Sequence, residues 1–127
     1  MAVSQPTYDP FYEGKRADAR LRLHLPARLI LATRSSPCVL ENVSRTGARL
    51  VVERPPHLAE FGQIRSEFLD HFFETVWRDG NRVGIAFDEP LGGRILVGLR
   101  EMHDNFPDLQ RRALRALARH WVTGEQD

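Results

Sequence analysis

Two arginines near the start of this chain, Arg16 and Arg20, stand four positions apart and precede a segment with the pattern of a strand. Each guanidinium presents a planar fork of N–H donors that stays charged at any working pH. Such a fork fits phosphate oxygens, and equally the O6/N7 edge of guanine. The pair therefore predicts a site for an anionic or purine ligand, although two solvated surface arginines would have the same spacing by chance.

A polar turn of the form Asn-x-Ser-x-x-Gly follows further along the chain, at Asn42, Ser44 and Gly47. The Asn42 and Ser44 side chains are able to bind the polar edges of a ligand or to stabilise their own turn. Gly47 permits a positive φ or the close approach of a ligand to the backbone. Taken alone, the segment is at least as typical of a plain polar β-turn between two strands, so both interpretations stay open.

Arg22 and Arg45 are accessory candidates for the same chemistry. Arg22 alternates onto the strand face of Arg20, and Arg45 lies inside the polar turn, where it would reach a bound phosphate. A solvated strand arginine and an exposed turn arginine are the competing interpretations.

The segments that must position these residues have the two-residue period of strands. Leu21, Leu23 and Leu25 alternate with polar residues, which indicates a half-buried strand, and Pro26 suggests a bend or an edge position. Residues 34–37 predict a turn by composition. Further strands are predicted on either side of the polar turn.

The second half of the predicted sheet consists of shorter runs. Residues 64–69 and 72–77 are predicted strands, with residues 70–71 as a break between them. Residues 79–81 have the composition of a hairpin turn, and a strand follows over 83–87. Several short strands with closely spaced turns favour a small antiparallel barrel or sandwich.

Two helices are predicted at the C-terminal end. Pro90 can occupy the first turn of a helix that runs to about His103, although Gly92 and Gly93 weaken its start. Asn105 is the predicted N-cap of the helix that follows.

The second predicted helix carries an apolar stripe with a spacing of four residues, at Leu109, Ala113, Leu117 and Trp121. Such a stripe is predicted to pack on the barrel. The alternatives are the docking of a partner helix and a homodimer formed through this C-terminal helix. Binding to a membrane surface is the least favoured, because the stripe is short and the net charge of the chain is near zero.

Composition restricts the classes of function. A chain of 127 residues with 42% hydrophobic residues fits one folded domain, and a formal net charge of +1 argues against nucleic-acid binding by bulk charge. Cys38 is the only cysteine, which excludes a disulfide framework. The histidines lack metal-ligand spacing and no catalytic motif occurs, so no enzyme, metal or cofactor is predicted. Without a signal sequence or an apolar run of membrane-spanning length, the expected location is the cytoplasm.

In combination and in this order, the two polar groups resemble the signature of the PilZ domain family, Arg-x-x-x-Arg followed by Asp/Asn-x-Ser-x-x-Gly. The resemblance covers roughly residues 15–100 and includes the strand end at 76–78 and the strand at 83–87. It implies a six-stranded antiparallel β-barrel that binds the bacterial second messenger cyclic di-GMP. The expected fold is therefore mainly β, with a small PilZ-like barrel followed by one or two C-terminal α-helices.

The resemblance also implies a role for each motif residue. Arg16 and Arg20 would bind phosphate and guanine edges. Asn42 and Ser44 would contact the other face of the ligand, while Gly47 would shape the turn. Asn42 lacks the charge of the aspartate that the pattern also permits, so its hydrogen bonds to guanine are expected to be weaker. Binding of one cyclic di-GMP and binding of a stacked pair would use much the same residues.

The predicted organisation is an N-terminal arm over residues 1–15, a PilZ-like barrel over 16–88 and a helical extension over 89–127. The predicted function is binding of cyclic di-GMP, relayed to an unidentified downstream protein by ordering of the arm over the ligand. The alternative is a PilZ-like interaction module that does not bind nucleotide, and retention of all five motif residues favours the receptor. A nucleic-acid-binding barrel is disfavoured because no dense basic stripe with stacked aromatic residues occurs.

Overall fold

A closed antiparallel barrel of six strands, followed by two helices, forms the fold in the computed structural model, which describes residues 20–123. The elements are β1 (Leu21–Ile30), β2 (Ser35–Val43), β3 (Gly47–Val52), β4 (Phe61–Arg65), β5 (Asp70–Asp79), β6 (Arg82–Phe87), α1 (Gly93–Asp104) and α2 (Asp108–Thr123). The strand order around the barrel is β1-β2-β3-β6-β5-β4. The predicted fold class is confirmed, whereas the predicted arm over residues 1–15 lies outside the described residues.

The inward residues of the alternating strands fill the barrel. In β1, Leu23, Leu25 and Leu29 are at most 2% exposed, while the residues between them are half-buried or exposed. Cys38 of β2 joins this core, and burial raises the pKa of its thiol to about 12. The Cys38 side chain is therefore a protonated and unreactive thiol at neutral pH.

Barrel closure depends on a short seam between β1 and β4. β1 pairs with β2 from Leu21 to Ile30, but it pairs with β4 only at Arg28–Ile30. Pro26 lies where β1 has a single strand partner, which is the edge-like environment that tolerates a residue without an N–H donor. This placement agrees with the edge position predicted for Pro26.

The turn that the sequence predicts over residues 34–37 lies instead over residues 31–34. The Leu31 N–H donates to the Arg34 carbonyl (2.8 Å), and β2 already begins at Ser35. The polar residues that suggested a turn are instead the first, more exposed residues of a strand.

The break predicted at residues 70–71 is also misplaced. Ser66 and Leu69 exchange backbone hydrogen bonds in both directions (2.7 and 3.4 Å), so the chain turns here between β4 and β5. Leu69 is 1% exposed because its side chain enters the core, and this gives the turn the apolar composition of a strand. β5 then begins at Asp70, so residues 70–71 belong to it.

The hairpin turn predicted over residues 79–81 is confirmed between β5 and β6. Gly80 has a positive φ of 62°, which glycine adopts without the steric penalty of a side chain. The Asn81 side-chain amide donates to the carbonyls of Val52 and Glu53 (both 2.9 Å). The turn is therefore also bound to the end of β3.

The first helix begins later than the sequence predicts. α1 starts at Gly93 rather than at Pro90, because Leu91 enters the core at 1% exposure. The Leu91 N–H donates to the carbonyl of Arg45 in the β2–β3 turn (2.7 Å). The connection into α1 is therefore bound to the polar turn that the sequence singles out.

The predicted N-cap of the second helix is wrong. Asn105 is the C-cap of α1, and its backbone N–H donates to the Glu101 carbonyl (3.0 Å). α2 begins at Asp108, and the carbonyl of the preceding Pro107 accepts a hydrogen bond from the Arg111 N–H (2.9 Å). The fixed φ of proline favours the start of a helix at this point.

The face of α2 that packs on the barrel matches the predicted stripe only at Trp121. Leu109 and Leu117 are 78% and 39% exposed, whereas Ala118 is 3% exposed against Val39 and Val51 on the outer face of β2 and β3. The other residues of this contact are Leu114, Trp121 and Val122. A strict four-residue step overshoots a helical turn by about 40°, so the predicted stripe drifts around the helix, whereas mixed three- and four-residue steps stay on one face.

Replacing Ala118 with aspartate is expected to destabilise the packing of α2. The variant places a carboxylate between Val39 and Val51, and a buried polar group without partners lowers stability by about 1–3 kcal/mol, or more when it is charged. Urea denaturation of Ala118→Asp, compared with Ala116→Asp at an exposed position of the same helix, measures the difference. Equal midpoints for the two variants would contradict the observed helix face.

Candidate functional site

One row of paired residues crosses the outer face of five strands. Arg22 pairs with Asn42, Asn42 with Arg49, Arg49 with Gly84, and Gly84 with Trp77. Directly paired residues of antiparallel strands project to the same face of the sheet. Because Arg22 neighbours the inward Leu23, the row lies on the outside of the barrel.

Trp77 covers the backbone of β6 at the end of this row. A Cβ atom at Gly84 would lie 2.1 Å from the Trp77 indole Nε1, so only glycine leaves room for the ring. The half-buried indole therefore forms an aromatic surface next to Arg49, the strand partner of Gly84 on the other side.

Arg20 of the N-terminal motif lies at the same end of β1 and β2 as the polar turn. Arg20 is half-buried and directly precedes the Leu21–Val43 pair, and Ser44 directly follows it on the other strand. The register therefore brings Arg20 and the polar turn to the same end of the barrel. Arg16 lies outside the described residues.

Ser44 stabilises its own turn in this structure. Its hydroxyl accepts a hydrogen bond from the Thr46 N–H (3.3 Å) and donates one to the Gly47 carbonyl (3.4 Å). The Ser44 N–H donates to the same carbonyl (2.8 Å). Asn42 and Ser44 are only 2% and 1% exposed, so both are screened from solvent in this state.

Gly47 begins β3 and is buried. The two turn residues before it accept backbone hydrogen bonds from residues after β5 in the chain. Between residues 20 and 123, the glycine with a positive φ is Gly80 and not Gly47, so left-handed backbone does not explain this glycine. The Thr46 carbonyl accepts a hydrogen bond from the Phe87 N–H (2.8 Å). The carbonyl of the exposed Arg45 accepts the hydrogen bond from the Leu91 N–H described above. The turn therefore has a defined backbone position on the barrel end.

A polar cavity of about 380 Å³ lies beside the row, between the barrel and the helices. Its lining combines three arginines, two histidines and one carboxylate, and consists of Arg22, Leu23, His24, Glu41, Arg49, His103 and Arg115. Arg22 was an accessory candidate from the sequence. The other charged residues were missed, because they belong to no short motif and come together only through the strand register and the docking of the helices.

Glu41 is the carboxylate of this cavity and is only 7% exposed. The pairing of β2 with β3 skips one residue between Leu40 and Asn42, which makes Glu41 the extra residue of a β-bulge. Its Oε1 forms ion pairs with Arg49 Nε (3.3 Å) and with Arg82 Nε (3.1 Å). Two guanidinium groups thus compensate the buried charge.

Two histidines connect the barrel to the end of α1 within the cavity. The His24 backbone N–H donates to His103 Nδ1 (3.4 Å), which requires this nitrogen to be unprotonated. Burial lowers the pKa of His24, while Glu41 opposes this shift. Burial also lowers the pKa of His103, and the nearby Arg111 adds to the effect. Both imidazoles therefore favour the neutral form.

An apolar groove of about 350 Å³ lies elsewhere on the barrel, along β4 and β5. Its lining includes Phe61, Phe72 and Phe73, and it contains none of the motif residues. Phe61 and Phe72 are 66% and 61% exposed. The groove has one charged lining residue, Asp88, so the polar cavity is better suited to a phosphorylated ligand.

Within residues 20–123, no group of three or more histidine, cysteine, aspartate or glutamate residues is arranged to hold a metal ion. Neither α1 nor α2 is long and apolar enough to cross a membrane.

Comparison with known proteins agrees with this fold. A sequence model of the PilZ domain matches residues 14–101. Among solved structures, the chain is similar to the Bacillus subtilis inhibitor of motility MotI/DgrA, with a TM-score of 0.51 and 11% identity over 74% of this chain. The match covers 54% of the inhibitor, so this chain spans about half its length, and the likeness concerns the fold alone. No curated protein sequence matches the chain.

Acidification is expected to destabilise the fold through the two cavity histidines. Their pKa values are below the ordinary 6.5 in the folded state, so their contribution is fully present above pH 6.5 and is lost as the pH falls through the lower, folded values. Thermal unfolding between about pH 7.5 and about pH 5 measures this loss. His103→Asn, which cannot titrate, should flatten the profile, and an equally steep profile in this variant would contradict the assignment.

Proposed function

Because this chain belongs to the PilZ domain family, we propose that it is a receptor, not an enzyme, that binds cyclic di-GMP on the outer face of its barrel. The binding residues of this proposal are Arg16, Arg20, Asn42, Ser44 and Gly47, with Arg22 and Arg45 as accessory residues. The occupied receptor would act on an unidentified downstream protein in the cytoplasm.

The observation that carries this proposal is the register of β1 against β2. The pairs Leu21–Val43 and Arg22–Asn42 bring Arg20 and the polar turn to one end of the barrel. Arg20 and the polar turn are far apart along the chain, and strand pairing makes them neighbours. Their approach supports a single site that uses both.

The chemistry of this face suits a ligand with two phosphates and two purines. Arginine forks provide paired donors for phosphate oxygens and for the O6/N7 edge of guanine. The half-buried indole of Trp77 offers an aromatic surface on which a base can stack. A formal net charge of only +1 leaves this local arrangement, rather than bulk charge, as the source of affinity.

The proposed relay runs through the N-terminal segment. Arg16 and the arm over residues 1–15 precede Arg20, which borders the polar turn. A ligand bound by both the arginines and the polar turn would fix the position of the N-terminal segment. The arm itself lies outside the described residues. Its placement over the ligand is therefore the part of the proposal that a structure of the complex would test.

One observation favours the alternative of a PilZ-like interaction module that does not bind nucleotide. Asn42 and Ser44 are almost inaccessible, and the Ser44 hydroxyl is engaged in its own turn. Ligand binding therefore requires these side chains to become accessible. Absence of cyclic di-GMP binding at micromolar protein would favour the module.

Substitution of Arg20 by alanine is expected to weaken cyclic di-GMP binding about tenfold to a hundredfold, because a hydrogen bond to a charged group contributes roughly 1.5–3 kcal/mol. Isothermal titration calorimetry measures the change, with GTP and cyclic GMP as ligand controls. Arg28→Ala removes an exposed arginine from the far end of the same strand and should keep the wild-type affinity. Unchanged affinity in Arg20→Ala would remove Arg20 from the site.

A further inference from the structure

The carboxylate of Glu41 stands next to the predicted ligand residue Asn42 and belongs to neither sequence motif. It lines the polar cavity together with Arg22, the strand partner of Asn42. Its ion pairs to Arg49 and Arg82 both run through Oε1. An ionised carboxylate has about four lone-pair sites on its two oxygens, so two ion pairs leave Glu41 able to accept further hydrogen bonds.

Guanine is the base whose Watson–Crick edge matches a carboxylate. The edge presents two neighbouring donors, N1–H and the N2 amine, while an ionised carboxylate is an acceptor at both oxygens. Adenine has no hydrogen on N1 and no amine at C2. The amide of Asn42 combines one acceptor with a donor that would oppose these groups, so asparagine alone discriminates poorly.

We propose that Glu41 determines base specificity by accepting hydrogen bonds from the Watson–Crick edge of one guanine of cyclic di-GMP. This inference rests on the proposed function, since it assigns a residue to the same ligand. The base would enter the polar cavity beside Arg22, with the barrel on one side and Arg115 of α2 on the other. Glu41 would thereby supply the charged acceptor that the motif position Asn42 lacks.

The surrounding charges make a carboxylate compatible with an anionic ligand. Arg49 and Arg82 neutralise Glu41 from the barrel side, and Arg22 and Arg115 line the same cavity. A phosphate near this group would therefore meet a positive local field despite the glutamate. The cavity volume of about 380 Å³ lies within the range of roughly 300–1,000 Å³ that small-molecule sites occupy.

A first experiment uses the unmodified protein and two ligands. Cyclic di-IMP differs from cyclic di-GMP only by the absence of the N2 amines, so it removes one of the donors that Glu41 would accept. Calorimetry should show about tenfold weaker binding of cyclic di-IMP or a larger loss, as expected for a hydrogen bond to a charged group. Equal affinity for the two ligands would overturn the inference, whether or not any variant folds.

A second experiment transfers the comparison to Glu41→Gln, whose amide presents a donor to the base. This variant should bind cyclic di-GMP about tenfold to a hundredfold more weakly, and it should bind cyclic di-GMP and cyclic di-IMP alike. Arg82→Gln is the matched control, because it breaks an ion pair of Glu41 outside the cavity lining and keeps the carboxylate. It should retain the preference for guanine.

The outcomes separate the inference from the function on which it rests. If the unmodified protein binds no cyclic di-GMP, the proposed function is wrong and the role of Glu41 is lost with it. If the protein binds, and Glu41→Gln keeps the full preference for cyclic di-GMP over cyclic di-IMP, only the inference is overturned. If Arg82→Gln lost the preference for cyclic di-GMP to the same extent as Glu41→Gln, the inference would also be overturned. Glu41 would then act only by positioning the side chains around it.

Discussion

The β-bulge at Glu41 determines which side chains reach the outer face of the barrel. Because β2 carries one residue more than β3 at this point, Glu41 and Asn42 both lie opposite Arg49. With strict alternation after Leu40, the amide of Asn42 would point into the apolar interior and Val43 would point outward. The extra residue thus permits a polar outer face and an unbroken core in the same strand.

The polar turn and the helices form one unit around the outer face. Carbonyls of the turn bind the backbone at Phe87 and Leu91, which connects the end of β6 and the approach to α1 directly to the motif. Side chains from α1 and α2 then complete the lining of the polar cavity. The helical extension is therefore part of the candidate site and not an appendage to the barrel.

The sequence predicted what depends on local pattern and failed where distant contacts decide. The alternation in β1, the hairpin at Gly80 and the approach of Arg20 to the polar turn follow from period, turn composition and family resemblance. The boundary at Leu69 and the buried face of α2 depend on which apolar side chain finds space in the core. The partners of Glu41 depend on a bulge, which no single-strand pattern reveals.

The seam between β1 and β4 is the place where local opening of the barrel is expected to begin. Three residue pairs close the cylinder there, whereas the row from Arg22 to Trp77 crosses every strand junction except the two that involve β4. Local opening of a sheet begins where the fewest ladder bonds must break. Such fluctuations can separate β4 from β1 while the five strands that carry the row keep their register. Opening of this seam would thus leave the arrangement of the row from Arg22 to Trp77 unchanged.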